Sequence, residues 1–266
     1  MEQLCRKINM PEEATHQILE IHRNLEIFSC LDLLMREETW SLGLEQLKDS
    51  LGEDPGGWKR LCCMLRCALR ARSEYVRLGI PEEIYIATMA AFSRFVREHQ
   101  ESYGCYGFNR GSWTPRQVSC RIFRIGQLEY ELTTLDGAPI ISLHIPTDAD
   151  MRPEVLRPSI RNALAEFYRL FPEHTGDQVY CHSWLLSPQL KEFLPETSNI
   201  LRFQELFDIE PEGIPGNDVK LWVFKNPRLP IEAYPEHTSL QRKLKQFFLN
   251  GGQFQEGAGY LHLPPA

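Results

Sequence analysis

The chain has 266 residues, which is enough for one large domain or two modest ones. Hydrophobic residues make up 42% and charged residues 24% of the sequence, as in an ordinary globular protein. The formal net charge of −7 argues against a nucleic-acid partner, because a phosphate-binding surface needs clustered Lys and Arg. No apolar run reaches signal-peptide or membrane-spanning length, so we expect a cytoplasmic protein that does not bind a membrane.

The eight cysteines are not spaced as metal ligands. None forms a C-x-x-C pair, and the CCxxxC cluster at residues 62–67 lies on a predicted helix with no histidine nearby. We therefore expect no metal site, and free thiols kept reduced in the cytoplasm.

The first part of the chain has the apolar spacing of helices. Residues 12–36 and 58–78 place apolar side chains every three or four positions, and Pro81 opens a third helix that runs to about His99. The glycine-rich stretch GEDPGG before the second helix is predicted to be a loop. These features predict a helical N-terminal domain over residues 1–116.

Residues 103–117, YGCYGFNRGSWTPRQ, join the helical part to the rest of the chain. Three glycines stand among the aromatic residues, so the backbone can turn sharply while the rings pack or face a cavity. Two interpretations remain open. The segment is either a packed aromatic loop or a substrate-lining loop that carries Tyr106, Arg110 and Trp113.

From residue 117 onward the apolar period changes to two, which indicates strands. Strands are predicted at residues 118–123, 128–133 and 140–145, and the Asp136-Gly137 pair predicts a hairpin between the last two. Pro146 then ends the third strand, and a helix follows. That helix begins at Pro158 or has a distorted first turn.

A buried strand is predicted at residues 178–186, where alternation puts His182 and Trp184 on one face and Ser183 on the other. With the preceding strand and helix it makes a β-α-β unit, which predicts a parallel pair. The remaining predicted elements are short helices at 188–194 and 199–207, a strand at 219–224, a helix at 239–250 and a closing strand.

This order of elements resembles the core of GNAT-type N-acyltransferases. The motifs ISLHIPTDADM, CHSWLLSPQL, SNILRFQELF and TSLQRKL are similar to a bacterial acyltransferase-domain family, and YGFNRGSWTPRQ and FRIGQLEYEL fit it as well. The resemblance covers roughly residues 75–260. It implies an α+β fold with a helical N-terminal domain. A GNAT-like domain follows over residues 117–266, with a mixed, mostly antiparallel sheet flanked by helices.

The resemblance implies transfer of an acyl group from acetyl-CoA or another acyl-CoA to an unidentified amine, that of a small molecule. In GNAT folds two neighbouring strands splay apart, and the acyl-pantetheine arm lies in the gap between them. By resemblance, the backbone N–H groups from Leu143 to Ile145 would face the thioester oxygen. Asn199 has two interpretations, a helix N-cap or a contact to the pantetheine amides. The oligomeric state stays open.

Two departures from the GNAT pattern concern the coenzyme and the acid. Residues 146–155, PTDADMRPEV, lack the glycines of the usual pyrophosphate loop and contain Asp148 and Asp150, although Arg152 and Arg157 could compensate. The segment NILRFQELF lacks the tyrosine that protonates the leaving thiolate in many GNAT enzymes. A catalytically inactive binding or regulatory protein therefore remains an alternative, as does an interaction scaffold.

Candidate proton-transfer groups lie on the predicted strands. His182 is the first candidate for the general base, because imidazole titrates near neutrality; the alternative is a histidine bonded within the sheet. Ser183 is a candidate donor to the leaving sulfur. His144 and Glu131 are further candidates, and Glu131 shares a strand face with Glu129, which is typical of a solvated sheet face.

Overall fold

The computed structural model describes residues 1–26, 28–226 and 228–263. The chain divides into two compact units, Met1–Ile125 and Gly126–Ala266. The domain boundary expected between residues 116 and 117 stays a prediction.

The first unit is helical. Its α-helices in the described residues are α1 (Glu2–Lys7), α2 (Glu12–Asn24), α3 (Trp40–Leu51), α4 (Trp58–Arg77), α5 (Glu82–Tyr103) and α6 (Pro115–Val118). The helices predicted from residue 58 and from Pro81 are confirmed as α4 and α5, and their apolar stripes form the core. The helix predicted over residues 12–36 is wrong beyond Asn24, because the backbone is extended at Leu25 and a 3-10 helix follows at Ser29–Met35.

Arg66 of α4 satisfies the carbonyl groups at the end of α2. Its guanidinium donates to the carbonyl oxygens of His22 at 3.0 Å, Leu25 at 2.8 Å and Glu26 at 2.5 Å. Its Nε also donates to Nδ1 of His22 at 3.2 Å. A cation at this position offsets the negative end of the helix dipole and satisfies carbonyls that have no helical partner. Since Nδ1 of His22 accepts a hydrogen bond here, protonating it would break the contact.

We expect the contribution of His22 to stability to be lost on acidification. Burial and the charge of Arg66 lower the pKa of His22 below its ordinary value of 6.5. The unfolded chain therefore binds this proton more readily, and stability falls as the pH drops from about 6.5 to the lower folded-state pKa. His22→Asn keeps an acceptor near Nδ1 but does not titrate. Urea unfolding should show a difference in unfolding free energy between the wild type and His22→Asn that shrinks below about pH 6.5. A difference that does not change with pH would contradict the hydrogen bond assigned to Nδ1 of His22.

The sheet has seven strands in the part of the chain that the structure describes. They are β1 (Ile122–Ile125), β2 (Leu128–Leu135), β3 (Ala138–His144), β4 (Gln178–Ser183), β5 (Phe207–Ile209), β6 (Ile214–Pro215) and β7 (Gln255–Leu261). Their order is β1-β2-β3-β4-β7-β5, and β6 pairs with β7. β3 and β4 are parallel, whereas β2–β3, β4–β7, β5–β7 and β6–β7 are antiparallel. The predicted mixed, mostly antiparallel sheet and its parallel β-α-β pair are confirmed.

The helices of the second unit pack around this sheet. In the described residues they are α7 (Pro153–Leu170), α8 (Leu190–Phe193), α9 (Asn199–Gln204), α10 (Asp218–Phe224) and α11 (Ser239–Leu249). α7 begins at Pro153 and contains Pro158, so the later of the two predicted starts is wrong. α7 covers one sheet face, where the ring of Phe167 lies 6.0 Å from that of Tyr130.

The strand predicted at residues 219–224 is wrong, because Asp218–Phe224 forms helix α10. Its buried side chains Val219 and Phe224 join a core with residues of α8 and α11, including Leu190 and Leu244. The helix predicted to reach residue 207 ends at Gln204, and Phe207 begins β5.

The strand predicted at residues 118–123 starts late. Pro115 occupies the first position of α6, and the hydroxyl of Ser119 donates to its carbonyl oxygen at 2.7 Å. Cys120 then adopts a left-handed conformation with φ of 58°. A proline at this position favours a helical turn, so pairing begins only at Ile122.

The strand predicted at residues 178–186 ends at Ser183. The hydroxyl oxygen of Ser183 accepts a hydrogen bond from the N–H of Leu185 at 3.2 Å and caps a 3-10 helix over Trp184–Leu186. Placing Trp184 on the same strand face as His182 was therefore wrong. Trp184 leaves the sheet and packs against the core formed by α8, α10 and α11.

Candidate functional site

β3 and β4 separate at their carboxyl ends. Their parallel pairing ends at Ser142 and Tyr180. β3 remains paired with β2 as far as His144, and β4 remains paired with β7 as far as Ser183. Both strands thus keep their outer neighbours but, among the described residues, do not pair with each other beyond this point. A gap opens in the sheet between them.

One face of the sheet carries a group of ionisable side chains beside this gap. Residues paired across neighbouring strands lie on the same face, and alternate residues of a strand share that face. The registers of β2, β3, β4 and β7 therefore place the following side chains together: Glu129, Glu131, His144, His182 and Glu256.

His144 and Glu131 form the first pair on this face. Nε2 of His144 lies 2.7 Å from Oε2 of Glu131. Glu131 is 7% exposed and Glu129 is 4% exposed, so the expectation of a solvated sheet face is wrong. Burial makes these carboxylates costly unless they are hydrogen-bonded, and the hairpin register brings His144 within reach of one of them.

His182 and Glu256 form the second pair, on the other side of the gap. Nε2 of His182 lies 3.3 Å from Oε2 of Glu256, and the His182 side chain is 43% exposed while that of Glu256 is 7% exposed. The other carboxylate oxygen of Glu256 accepts a hydrogen bond from the N–H of Asp218 at 3.0 Å. A half-exposed imidazole supported by a buried carboxylate is an arrangement suited to proton transfer.

The sequence interpretation missed Glu256. It stands in the closing strand β7, in the stretch QFQEGAGY, where it is the sole charged residue. A carboxylate among glycines and neutral residues in a strand is a signal that could have identified it. Its partner on β4 could not be deduced from the sequence.

Ser183 and Leu143 have structural roles beside the gap. Ser183 points to the sheet face opposite His182, and its hydroxyl oxygen caps the turn at Leu185. The side chain of Leu143 is 1% exposed and belongs to the core, so only its backbone can serve a ligand. Ile145 follows β3 directly and is half-buried.

The start of α7 offers few hydrogen-bond donors to a phosphate. The guanidinium of Arg152 is paired with the carboxylate of Asp150 at 2.6–3.0 Å, and its backbone N–H donates to the same carboxylate at 3.0 Å. This contact lowers the pKa of Asp150 and raises that of Arg152. Pro153, the first helical residue, has no N–H. The geometry does not fit a glycine-loop cradle for a pyrophosphate.

Arg157 and Asn199 are the other candidate coenzyme contacts. Arg157 lies in α7, and its Nη2 is 3.2 Å from a carboxylate oxygen of Glu205. Asn199 is exposed as the first residue of α9. The cap of that helix is Ser198, whose hydroxyl accepts from the N–H of Ile200 at 3.3 Å, so the assignment of Asn199 as the N-cap is wrong by one residue.

Tyr106, Arg110 and Trp113 lie in the first unit, in the glycine-rich segment. The guanidinium carbon of Arg116 lies 4.3 Å from the ring centroid of Trp113, as in a cation–π contact. Phe108, within the same segment, is 3% exposed. The segment therefore contains packed aromatic rings, and a substrate-lining role stays a prediction.

All eight cysteines are free thiols, and Cys105 is the exposed one. Burial raises the pKa of Cys5 to about 11 and that of Cys67 to about 12, so both stay protonated near neutral pH. The described residues contain no cluster of metal-binding side chains. Among the described helices, none is long and apolar enough to span a membrane.

A mixed sheet whose two parallel strands separate at their carboxyl ends is the arrangement that the GNAT resemblance implies. A family model for a GNAT-like C-terminal domain matches residues 122–261, which is more than half of the chain, and a model for an N-acyltransferase N-terminal domain matches residues 1–120. The chain belongs to this family of N-acyltransferases with a GNAT-like C-terminal domain. The predicted resemblance is thereby confirmed.

Solved structures of acyltransferases are similar to the whole chain. One, in complex with decanoyl-CoA and teicoplanin, has a TM-score of 0.79 at 25% identity. Others, in complex with decanoyl-CoA alone and, for a mutant enzyme, with octanoyl-CoA, have TM-scores of 0.78 at 25% identity. Each comparison covers 98% of this chain and 87% of the other. Among curated protein sequences, none matches significantly.

Proposed function

We propose that this protein transfers an acyl group from an acyl-CoA thioester to an amine of a small molecule. The observation that carries the proposal is the gap between β3 and β4, with a histidine–carboxylate pair on each side of it on one sheet face. The similar acyltransferases bound to octanoyl-CoA and decanoyl-CoA support an acyl-CoA donor. We assign the acyl transfer to residues 117–266 and part of the acceptor contacts to residues 1–116.

In this proposal His182 is the general base. The amine nitrogen attacks the thioester carbonyl carbon while its proton passes to the imidazole. The carbon–sulfur bond then breaks, its electron pair leaves with the thiolate, and a proton returns to sulfur from the imidazolium or from solvent. His182 is favoured over His144 because it is 43% exposed against 24%, and so is more accessible to an incoming amine.

Other residues hold the reactants in the proposal. The acyl-pantetheine arm lies in the gap, with backbone N–H groups from Leu143 to Ile145 directed to the thioester oxygen. Asn199 contacts the pantetheine amides. The proton for the leaving sulfur comes from the imidazolium or from solvent rather than from Ser183, because Ser183 points to the opposite sheet face. His144 and Glu131 form a second proton-transfer pair.

The acceptor is proposed to contact the glycine-rich segment of the first unit through Tyr106, Arg110 and Trp113. The half-buried rings of Tyr106 and Trp113 offer stacking surfaces, and the guanidinium of Arg110 offers hydrogen-bond donors to carboxylate or carbonyl groups of the acceptor molecule. Teicoplanin is the first acceptor to test, because a similar acyltransferase structure contains it beside decanoyl-CoA.

Calorimetric titration with CoA, acetyl-CoA, octanoyl-CoA and decanoyl-CoA, followed by assays of thiol release with amine acceptors, tests the proposed reaction. We expect binding and acceptor-dependent thiol release, with the longer donors preferred. Absence of heat and of any thermal shift at millimolar donor would remove the acyltransferase proposal. Binding without transfer to a broad amine panel would select the inactive binding protein. The donor-poor start of α7 and the missing tyrosine favour that alternative.

We expect the charge of Arg152 to set the affinity for the coenzyme phosphates. The carboxylate of Asp150 binds the guanidinium of Arg152. Asp150→Asn should therefore release the guanidinium and raise the affinity for acyl-CoA. Arg152→Ala should lower the affinity on the order of tenfold, as should Arg157→Ala, because a charged hydrogen bond is lost. Titration with decanoyl-CoA measures the effect. Unchanged affinity in all three variants would mean that the phosphates bind elsewhere.

A further inference from the structure

We propose that Glu256 is a positioning residue that fixes the tautomer of His182, so that Nδ1 is the nitrogen that accepts the proton of the amine. The role of Nδ1 in catalysis rests on the proposed function. The tautomer itself is a property of the folded chain and can be measured without any reaction.

The carboxylate of Glu256 is held in place from three directions. Glu256 belongs to β7 and pairs with Ile214 of β6. Its Oε1 accepts a hydrogen bond from the N–H of Asp218 at 3.0 Å. Gly216 closes over it so tightly that a Cβ there would lie 1.9 Å from Oε1. With one oxygen committed to the backbone, only Oε2 is available to the imidazole.

The imidazole presents Nε2 to this oxygen. Nε2 of His182 lies 3.3 Å from Oε2 of Glu256, within ion-pair distance, and the negative charge of that oxygen attracts an N–H and repels a nitrogen lone pair. The neutral ring therefore carries its hydrogen on Nε2, which leaves the lone pair on Nδ1. In the described part of the chain Nδ1 has no hydrogen-bond partner, and the ring is 43% exposed.

This arrangement defines the path of the proton. The amine nitrogen forms its bond to the thioester carbon and loses one proton to Nδ1, and the resulting imidazolium carries N–H groups on both nitrogens. The negative charge of Glu256 stabilises that cation while the carbon–sulfur bond breaks and the thiolate leaves. The proton then passes from Nδ1 to sulfur or to solvent, and the starting tautomer is restored.

Glu256→Gln tests the assignment, because it should reverse the tautomer. The single oxygen of the new amide remains the acceptor for the N–H of Asp218, so its NH₂ group faces His182. Nε2 must then accept, and the hydrogen moves to Nδ1. Turnover should fall on the order of 10²–10⁴-fold while donor affinity is retained, since the base nitrogen is blocked.

Nitrogen-15 NMR of histidine-labelled protein at alkaline pH, where imidazoles are neutral, reads the tautomer directly. The His182 signals are assigned by their absence in His182→Gln. Asp177→Asn is the matched control, because it changes a carboxylate 2.7 Å from another imidazole, that of His174. It should leave the signals of His182 and the turnover unchanged.

The wild-type protein should show hydrogen on Nε2 of His182, and Glu256→Gln should show it on Nδ1. Hydrogen on Nδ1 in the wild type, or the same tautomer in both proteins, would overturn the inference. The wild-type spectrum decides even if the variant does not fold. If His182→Ala is active and the wild type carries its hydrogen on Nε2, His182 is not the base but the tautomer assignment stands. If His182→Ala is inactive and the wild type carries its hydrogen on Nδ1, His182 remains the base and this inference is wrong.

Discussion

His182→Ala should lower turnover on the order of 10²–10⁴-fold while the affinity for acyl-CoA stays nearly constant. The imidazole is the group that takes the amine proton in the proposed reaction, and it does not have to touch the coenzyme. Because the side chain is 43% exposed, its removal leaves no core cavity, and Glu256 keeps its bond to the N–H of Asp218. The melting temperature should therefore change little.

The matched control is His174→Ala, which removes another histidine of the same unit that contacts a carboxylate, that of Asp177, at 2.7 Å. Its turnover per folded molecule should equal that of the wild type. Measuring thermal stability and thiol release on both variants separates a catalytic role from a structural one. A destabilised but fully active His182→Ala protein would rule out the base, and Glu131 and His144 would be tested next.

Much of the sheet could be predicted because its local signals are strong. The Asp136-Gly137 turn is the clearest case: both residues adopt positive φ, 51° and 82°, as a tight hairpin turn requires. The register that follows from this turn places Glu129 directly opposite His144 and leaves Glu131 diagonal to it. The first histidine–carboxylate pair was therefore within reach of sequence reasoning, although the pairing itself was not predicted.

Short apolar runs were less informative. The run VKLWVF at residues 219–224 suits a buried strand as well as a helix, and its length does not separate the two. Packing decided the outcome, since α10 places Val219 and Phe224 in the core beside α8 and α11. Likewise, the alternation through Trp184 gave no warning that the hydroxyl of Ser183 ends the strand by capping a turn.

The second pair depends on long-range topology. His182 belongs to β4 and Glu256 to β7, and these strands are neighbours only because β7 inserts between β4 and β5. Local periodicity contains no information on that insertion, since strands far apart in sequence are brought together by the sheet as a whole. The sequence therefore identified one member of the pair as a candidate and could not identify its partner.

The insertion of β7 also explains a strict requirement for glycine. Gly257 lies opposite Ser183 in the sheet, beneath the turn that follows β4. A Cβ at this position would lie 2.2 Å from the carbonyl oxygen of Leu186 and 2.4 Å from its carbonyl carbon. Both atoms belong to the backbone, so a rotamer change cannot relieve the clash, and the turn or the strand must shift.

Gly257→Ala should therefore destabilise the protein by about 1–3 kcal/mol, or more if the turn cannot move. It should also lower turnover, because the displaced segments carry Ser183 and Glu256, the neighbours of His182. Gly252→Ala is the control: the three atoms nearest to its added Cβ are ring atoms of Phe247, at 2.5–2.6 Å, and a side chain can move where a backbone carbonyl cannot. Chemical unfolding of both variants should show the larger loss for Gly257→Ala, whereas equal stabilities would show that the turn over β7 yields to a methyl group at little cost.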